Sequence, residues 1–387
     1  AHTLTINSLF GGYDYLPYEL STNGNNNLKD KHNESLLMLP MSLEKYGYKS
    51  SILEPAYANF QYVPDLSIFE SYSNINVYNN RSVANDSIYK YLKNSNIGYI
   101  NFYEHNKMKQ KNRIVRFSIF RMLPINLRYD FYRNGNWFNI NNFDVNSSIY
   151  TYSILKNTKN LINIKEKGNY YNILHNMITH EPQFFDSDCL PYFESKNVKD
   201  EDLLIYKDEI SVKHFYVNVA SINILIDFIG YLKENEVYNN TKIILISDHG
   251  YPVIRSDIDD SNEGKFISVF NALLMYKDFN SIGNIKIGTN FMTIADMPYI
   301  TSKHIPNIRN VFNNKLITND YKTNGAYLLI LEDIFPNDNL LYKYNFNYFY
   351  HVKDNVYNYS NWNKYEINWK TKEIKENEFK FDTSWFK

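Results

Sequence analysis

An α/β fold is predicted by a unit of amphipathic helix followed by a short apolar strand, which occurs twice in the chain. In the first copy Asn33 to Tyr46 carries Leu36, Leu37, Leu39 and Leu43 at helical spacing and stops at Gly47, and a strand over Tyr48 to Leu53 follows. In the second, Lys213 to Glu236 reads as a long amphipathic helix, Tyr238-Asn239-Asn240 as a turn, and Thr241 to Ser247 as a strand. The run Ile243-Ile244-Leu245-Ile246 is what a strand covered on both faces of a parallel sheet requires.

The other elements are read with the same rules. Phe102 to Asn163, rich in arginine, asparagine and aromatic residues, is expected to be a helical insertion or cap. Gly325 to Ile334 is a further strand or helix, and Trp362 to Lys387 alternates polar and apolar residues around Lys370-Thr371-Lys372 like a hairpin. The expected division is a main domain over 1–320 and a small C-terminal subdomain over 321–387.

A chain of 387 residues with 44% hydrophobic and 21% charged residues can bury a core and is not a disordered polyelectrolyte. The formal net charge of -1 provides no global basic field, so nucleic acid is not an expected partner. One cysteine, Cys189, excludes an intramolecular disulfide and any multi-cysteine metal site. The most apolar stretch, Val217 to Leu232, is interrupted by Asn218, Ser221, Asn223 and Asp227, so no uninterrupted run of about 18–20 apolar residues is available to span a bilayer and the chain reads as soluble. It begins at Ala1, without methionine or a signal-like segment, and reads as a processed or trimmed product. Asparagine, tyrosine, isoleucine and lysine are over-used throughout; a carbohydrate-stacking surface and a bias towards AT-rich codons both account for this.

Three segments carry chemistry. Asp248-His249-Gly250 directly follows the buried strand, where open α/β sheets place functional groups, and can offer oxygen and nitrogen ligands to a divalent ion. The alternative is a capping aspartate followed by a loop histidine. His175 and His180, five apart, do not share a helix face and fit a strand end, with His180 held by the Glu181-Pro182 turn and donating to a phosphate oxygen. The N-terminal stretch through Thr3 and Thr5 offers hydroxyls that become nucleophiles only beside a metal or base; a frayed polar terminus is the alternative.

In this order the segments resemble the alkaline phosphatase superfamily, in its sulfatase-like branch of membrane-anchored bacterial enzymes such as lipoteichoic acid synthases and phosphoethanolamine transferases. The resemblance is carried by Leu9-Phe10-Gly11-Gly12-Tyr13-Asp14-Tyr15, Lys31-His32-Asn33-Glu34, Pro64-Asp65-Leu66-Ser67-Ile68 and His214-Phe215-Tyr216-Val217-Asn218. Asp248-His249-Gly250, Asn271 to Phe279 and Met292 to Pro298 continue it. It implies a three-layer αβα sandwich with a mostly parallel central sheet. It further implies Asp248 and His249 as ligands of zinc or manganese, Thr3 as nucleophile and metal ligand with Thr5 as runner-up, and His180 and His175 lining the pocket. Arg128, with Arg121 and Arg255, is a candidate for holding the anionic substrate.

The implied activity is transfer or hydrolysis of a cell-envelope or lipid-linked phosphodiester, on a phospholipid or envelope glycan, at the outer face of the bacterial cytoplasmic membrane. Membrane attachment would come through a segment absent from this chain. A sulfatase or phosphodiesterase and a non-catalytic scaffold are the rival readings. Two departures stand out: no residue matches the family's acidic ligand upstream of the nucleophile, and Tyr251 stands where a basic residue is expected. Asn271 to Leu274 and Met292 to Pro298 are read as a core strand and as a turn entering a helix.

Overall fold

The computed structural model describes residues 2–22, 27–61, 64–79, 111, 114–132, 145–162, 164, 166–181, 183, 185–191, 198–256, 267–329, 344 and 346–377. Helix α1 (His2–Gly11) and the short α2 (Pro17–Thr22) precede α3 (Leu28–Glu44). This last helix starts earlier than its leucine spacing predicts because Asn27 caps it, accepting from the backbone N–H of Lys29 and Asp30. Its end matches the prediction: Gly47 takes a φ of 78°, a conformation that favours glycine.

Strand β1 (Tyr48–Leu53) pairs in parallel with β2 (Ile75–Tyr78) on one side and with β3 (Asn169–Leu174) on the other. Both faces of this sheet are covered. Ile52, Ile75 and Ile173 pack into a cluster with Ile6, Leu9 and Phe10 of α1 and Leu36, Leu39 and Leu43 of α3. Leu174, on the opposite face from Ile173, packs against a second cluster. That cluster is built from Tyr152 and Leu155 of the helix over Val145–Leu161 and Val212, Tyr216, Val217 and Ala220 of the helix over Glu209–Glu234. The result is the layered α/β architecture expected from the sequence.

Helices over 114–122 (α4) and Ile125–Tyr132 (α5) come before the helix over Val145–Leu161 (α6), so most of the described part of this stretch is helical; 102–110, 112–113, 133–144 and 163 lie outside the described residues. Helix α7 (Asp200–Ile205) leads into α8 (Glu209–Glu234). By length and composition α8 is apolar enough to cross a membrane, its polar interruptions at Asn218, Ser221, Asn223 and Asp227 included, but one face of it forms the second core cluster.

Strand β4 (Ile243–Ile246) departs from its prediction. Among the described residues it pairs with β5 (Leu274–Lys277), antiparallel, and all four of its residues are half-buried. Ile244 and Ile246 reach the first cluster. Strand β5 is likewise not the core strand expected from Asn271-Ala272-Leu273-Leu274: Leu273, Met275 and Tyr276 are exposed. The segment Met292 to Pro298 does enter a helix, through a turn at Ile294–Asp296 into α9 (Met297–Ser302), with Pro298 in the first turn.

A four-stranded antiparallel sheet completes the chain: β6 (Ala326–Leu328), β7 (Tyr348–Val352), β8 (Trp362–Asn368) and β9 (Glu373–Asn377). The predicted hairpin around Lys370-Thr371-Lys372 joins β8 to β9, while 330–334 and 378–387 lie outside the described residues. Phe349 of β7 and Phe346 just before it pack with Leu20 and Leu28, so the sheet shares a core with the N-terminal helices.

Candidate functional site

The Asp248-His249-Gly250 turn is held by backbone on both sides. Gly250 N–H donates to Val269 O at 2.8 Å, and a Cβ on Gly250 would lie 2.0 Å from Ser268 O, so only glycine allows this approach. Downstream, Ile254 N–H donates to Ser211 Oγ at 2.9 Å and Ser256 N–H to Ile205 O at 2.8 Å, tying the segment to the α7–α8 corner.

Within the turn the two side chains converge. His249 Nδ1 lies 2.7 Å from Gly250 O, an acceptor only, so in the neutral ring Nδ1 carries the hydrogen and Nε2 the lone pair. That Nε2 is buried and faces Asp248 Oδ2 at 3.7 Å, while Asp248 Oδ1 accepts from His249 N–H at 3.0 Å. An imidazole nitrogen and a carboxylate oxygen are donor types that a divalent ion takes. A carbonyl that orients the far nitrogen is also how metal-binding histidines are commonly held. Zinc and manganese take donors of these types, but no group of three histidine, cysteine, aspartate or glutamate side chains forms among the described residues, so nothing described there completes a metal site.

The loop after β3 meets the segment after this turn. Ile178 and Val253 join the same apolar cluster, and Tyr251 donates a hydrogen bond to Glu181. On the other side His214 of α8 stacks on Tyr251, with ring centroids 4.2 Å apart and an interplanar angle of 12°. Burial holds the His214 imidazole neutral, its pKa lowered to about 4 even though the Glu181 charge opposes this. Burial, then Glu181, pushes the Tyr251 phenol up, so it stays protonated and donates. Asn218, four residues on from His214, donates to His214 Nδ1 at 2.9 Å and to its carbonyl at 2.7 Å. Tyr251 thus fills the place expected for a basic residue and joins two motif-bearing loops.

The remaining candidates are placed as follows. His180 lies beside Glu181 and its Nδ1 is 2.6 Å from Glu181 O; Pro182, the other half of the expected turn, lies outside the described residues. His175 directly follows β3, as expected of a strand-end residue, with Nδ1 3.1 Å from Glu54 O. Thr5 is in the first turn of α1, partly buried, and Thr3 is in the same helix with its side chain outside the described residues. The stretch expected to be a frayed terminus, if not functional, is therefore helical. Arg128 is committed locally, its Nε donating to Leu123 O and Nη2 to Arg121 O, both at 3.0 Å. Arg255 lies over the Tyr206 ring, 5.6 Å from its centroid.

The sequence offered Glu181 only as half of a turn and His214 only as part of a motif, with no hint that both meet Tyr251. The available signal was the His214–Asn218 spacing, one helical turn, on the helix before the Asp-His-Gly strand.

No family model and no curated protein matches this chain by sequence. Among solved structures it is similar to the crystal structure of the lipoteichoic acid synthase LtaP from Listeria monocytogenes, at 11% identity and a TM-score of 0.45. The likeness covers 99% of this chain and 76% of that one.

Proposed function

We propose that this chain transfers or hydrolyses a phosphodiester of the cell envelope, lipid-linked or carried on a glycan, at the outer face of the bacterial cytoplasmic membrane. The observation that carries this reading is the Asp248–His249 pair, whose donor atoms face each other at 3.7 Å at the end of a strand. The order of sequence motifs supports it. Zinc or manganese is the proposed ion, with Asp248 Oδ2 and His249 Nε2 as its donors; such an ion, when bound, stabilises the anionic transferring group and an attacking alkoxide.

Thr3 is the proposed nucleophile, with Thr5 as the alternative. Both belong to the first turn of α1, where the positive end of the helix macrodipole favours a phosphate. The threonine hydroxyl would lose its proton as its oxygen bonds phosphorus, and the donor alcohol would leave with a proton. A second hydroxyl would then take the phosphoryl group from threonine, water giving a hydrolase and a sugar or glycerol hydroxyl a transferase. His180, and His175 at the β3 end, would donate to the phosphate or to the leaving oxygen.

The test is hydrolysis of a chromogenic phosphodiester by the full chain with added manganese or zinc, beside T3A, T5A, D248N and H249A. The reading expects metal-dependent release that falls at least about 100-fold in D248N, in H249A and in one of the two threonine variants. Metal binding should be weak, because the pair alone does not complete a cage. Release independent of metal, or indifferent to D248N, would overturn it.

A further inference from the structure

The whole-chain charge is close to neutral, yet positive charge concentrates at the α4–α5 hairpin: among the described residues 111 and 114–132, Lys111 just ahead of α4 with Arg116, Arg121 and Arg128 stand against Asp130 alone. The two helices are closed against each other. Arg128 donates to the carbonyls of Leu123 and Arg121 and lies 5.6 Å from the Phe120 ring centroid, and Phe120 meets Tyr132 edge-on with centroids 6.2 Å apart. Much of what these contacts leave outside is apolar. Met122 is 84% exposed and Ile125 83%, flanking the turn at Leu123-Pro124, and Ile114, Val115, Leu127 and Tyr129 are exposed as well.

No residue of α5 is buried. Isolated helices this short are marginal in water, and exposed aliphatic side chains at a helical turn add nothing to their stability there. An interface that takes the aliphatic tip into hydrocarbon and pairs the cations with anionic groups supplies both missing terms.

We propose that the α4–α5 hairpin docks on an anionic phospholipid surface, with Met122 and Ile125 entering the acyl boundary and Lys111 and Arg121 facing the headgroups. The exposed set favours lipid over nucleic acid: the aliphatic Ile114, Val115, Ile119, Met122, Ile125 and Leu127 outnumber the aromatic Phe117, Tyr129 and Tyr132, and aliphatic side chains neither stack on bases nor hydrogen-bond to them. The inference rests on this surface and not on the phosphodiester reading.

The test is co-sedimentation of the full chain with vesicles of phosphatidylcholine alone and of phosphatidylcholine with about one third phosphatidylglycerol, with a single-stranded oligonucleotide as competitor. The mixed vesicles should bind the chain at least about tenfold better than phosphatidylcholine alone, and K111Q and R121Q should each weaken that binding about fivefold. M122S/I125S, at two exposed positions, should weaken it by at least about tenfold while leaving the urea midpoint unchanged. Equal binding to both vesicles, unchanged binding by M122S/I125S, or displacement by the oligonucleotide would each overturn the proposal. Loss of phosphodiester activity with vesicle binding intact would leave it standing and count against the phosphodiester reading only.

Discussion

His32 is fully buried in α3, between Asn7 of α1 and the loop after β1. Its Nδ1 lies 2.6 Å from the Asn7 side chain and its Nε2 2.9 Å from Ala56 O, and Asn7 also hydrogen-bonds to Tyr344, ahead of the C-terminal sheet. Burial lowers the His32 pKa from 6.5 to about 4, more than the nearby backbone acceptors raise it. The unfolded chain therefore takes up this proton as pH falls through 6.5, whereas the folded chain resists it until about pH 4. Over that window the unfolded state binds more protons, so stability is full above pH 6.5 and is lost on acidification. At about 1.4 kcal/mol per pH unit, the gap amounts to about 3 kcal/mol, of which about 2.5 kcal/mol is lost by about pH 4.5. His32→Gln removes the titration, at a cost of about 1–3 kcal/mol at neutral pH for the disturbed hydrogen bonds.

Urea unfolding of both proteins at about pH 7 and about pH 4.5 reads the difference directly. His214, which titrates with the same sign, is present in both and cancels. The native protein should lose about 2.5 kcal/mol more than His32→Gln across this range. Equal losses in the two proteins would refute the assignment of the acid sensitivity to His32.

Two further outcomes follow from the candidate site. Gly250→Ala places a methyl group against Ser268 O and Asn271 O, both backbone atoms, so the urea midpoint should fall by the equivalent of about 1–3 kcal/mol; an unchanged midpoint would contradict the close packing of the Asp-His-Gly turn. Tyr251→Phe keeps the stack on His214 but loses the hydrogen bond to Glu181, and should cost about 0.5–1.5 kcal/mol, less than Tyr251→Ala, which loses both. If Tyr251→Phe and Tyr251→Ala were equally destabilising in urea, the stack would contribute nothing.

The sequence by itself determined the local elements, because local patterning is what specifies them: leucines at helical spacing and a glycine stop for α3, the bounds of β1, the hairpin after Trp362, and the turn into α9 at Met292 to Pro298. Asp248-His249-Gly250 was likewise legible, since a turn after an apolar strand is a local signal. Pairing and burial were decided only in the tertiary structure. Four apolar residues in a row do not state which strand lies beside them, and β4 took an antiparallel partner and only half-buried its residues. The meeting of Tyr251 with Glu181 and His214, and the capture of Arg128 by its own hairpin, also arise from long-range packing or chain reversal. A charge or hydroxyl in a sequence does not disclose which neighbour will spend it.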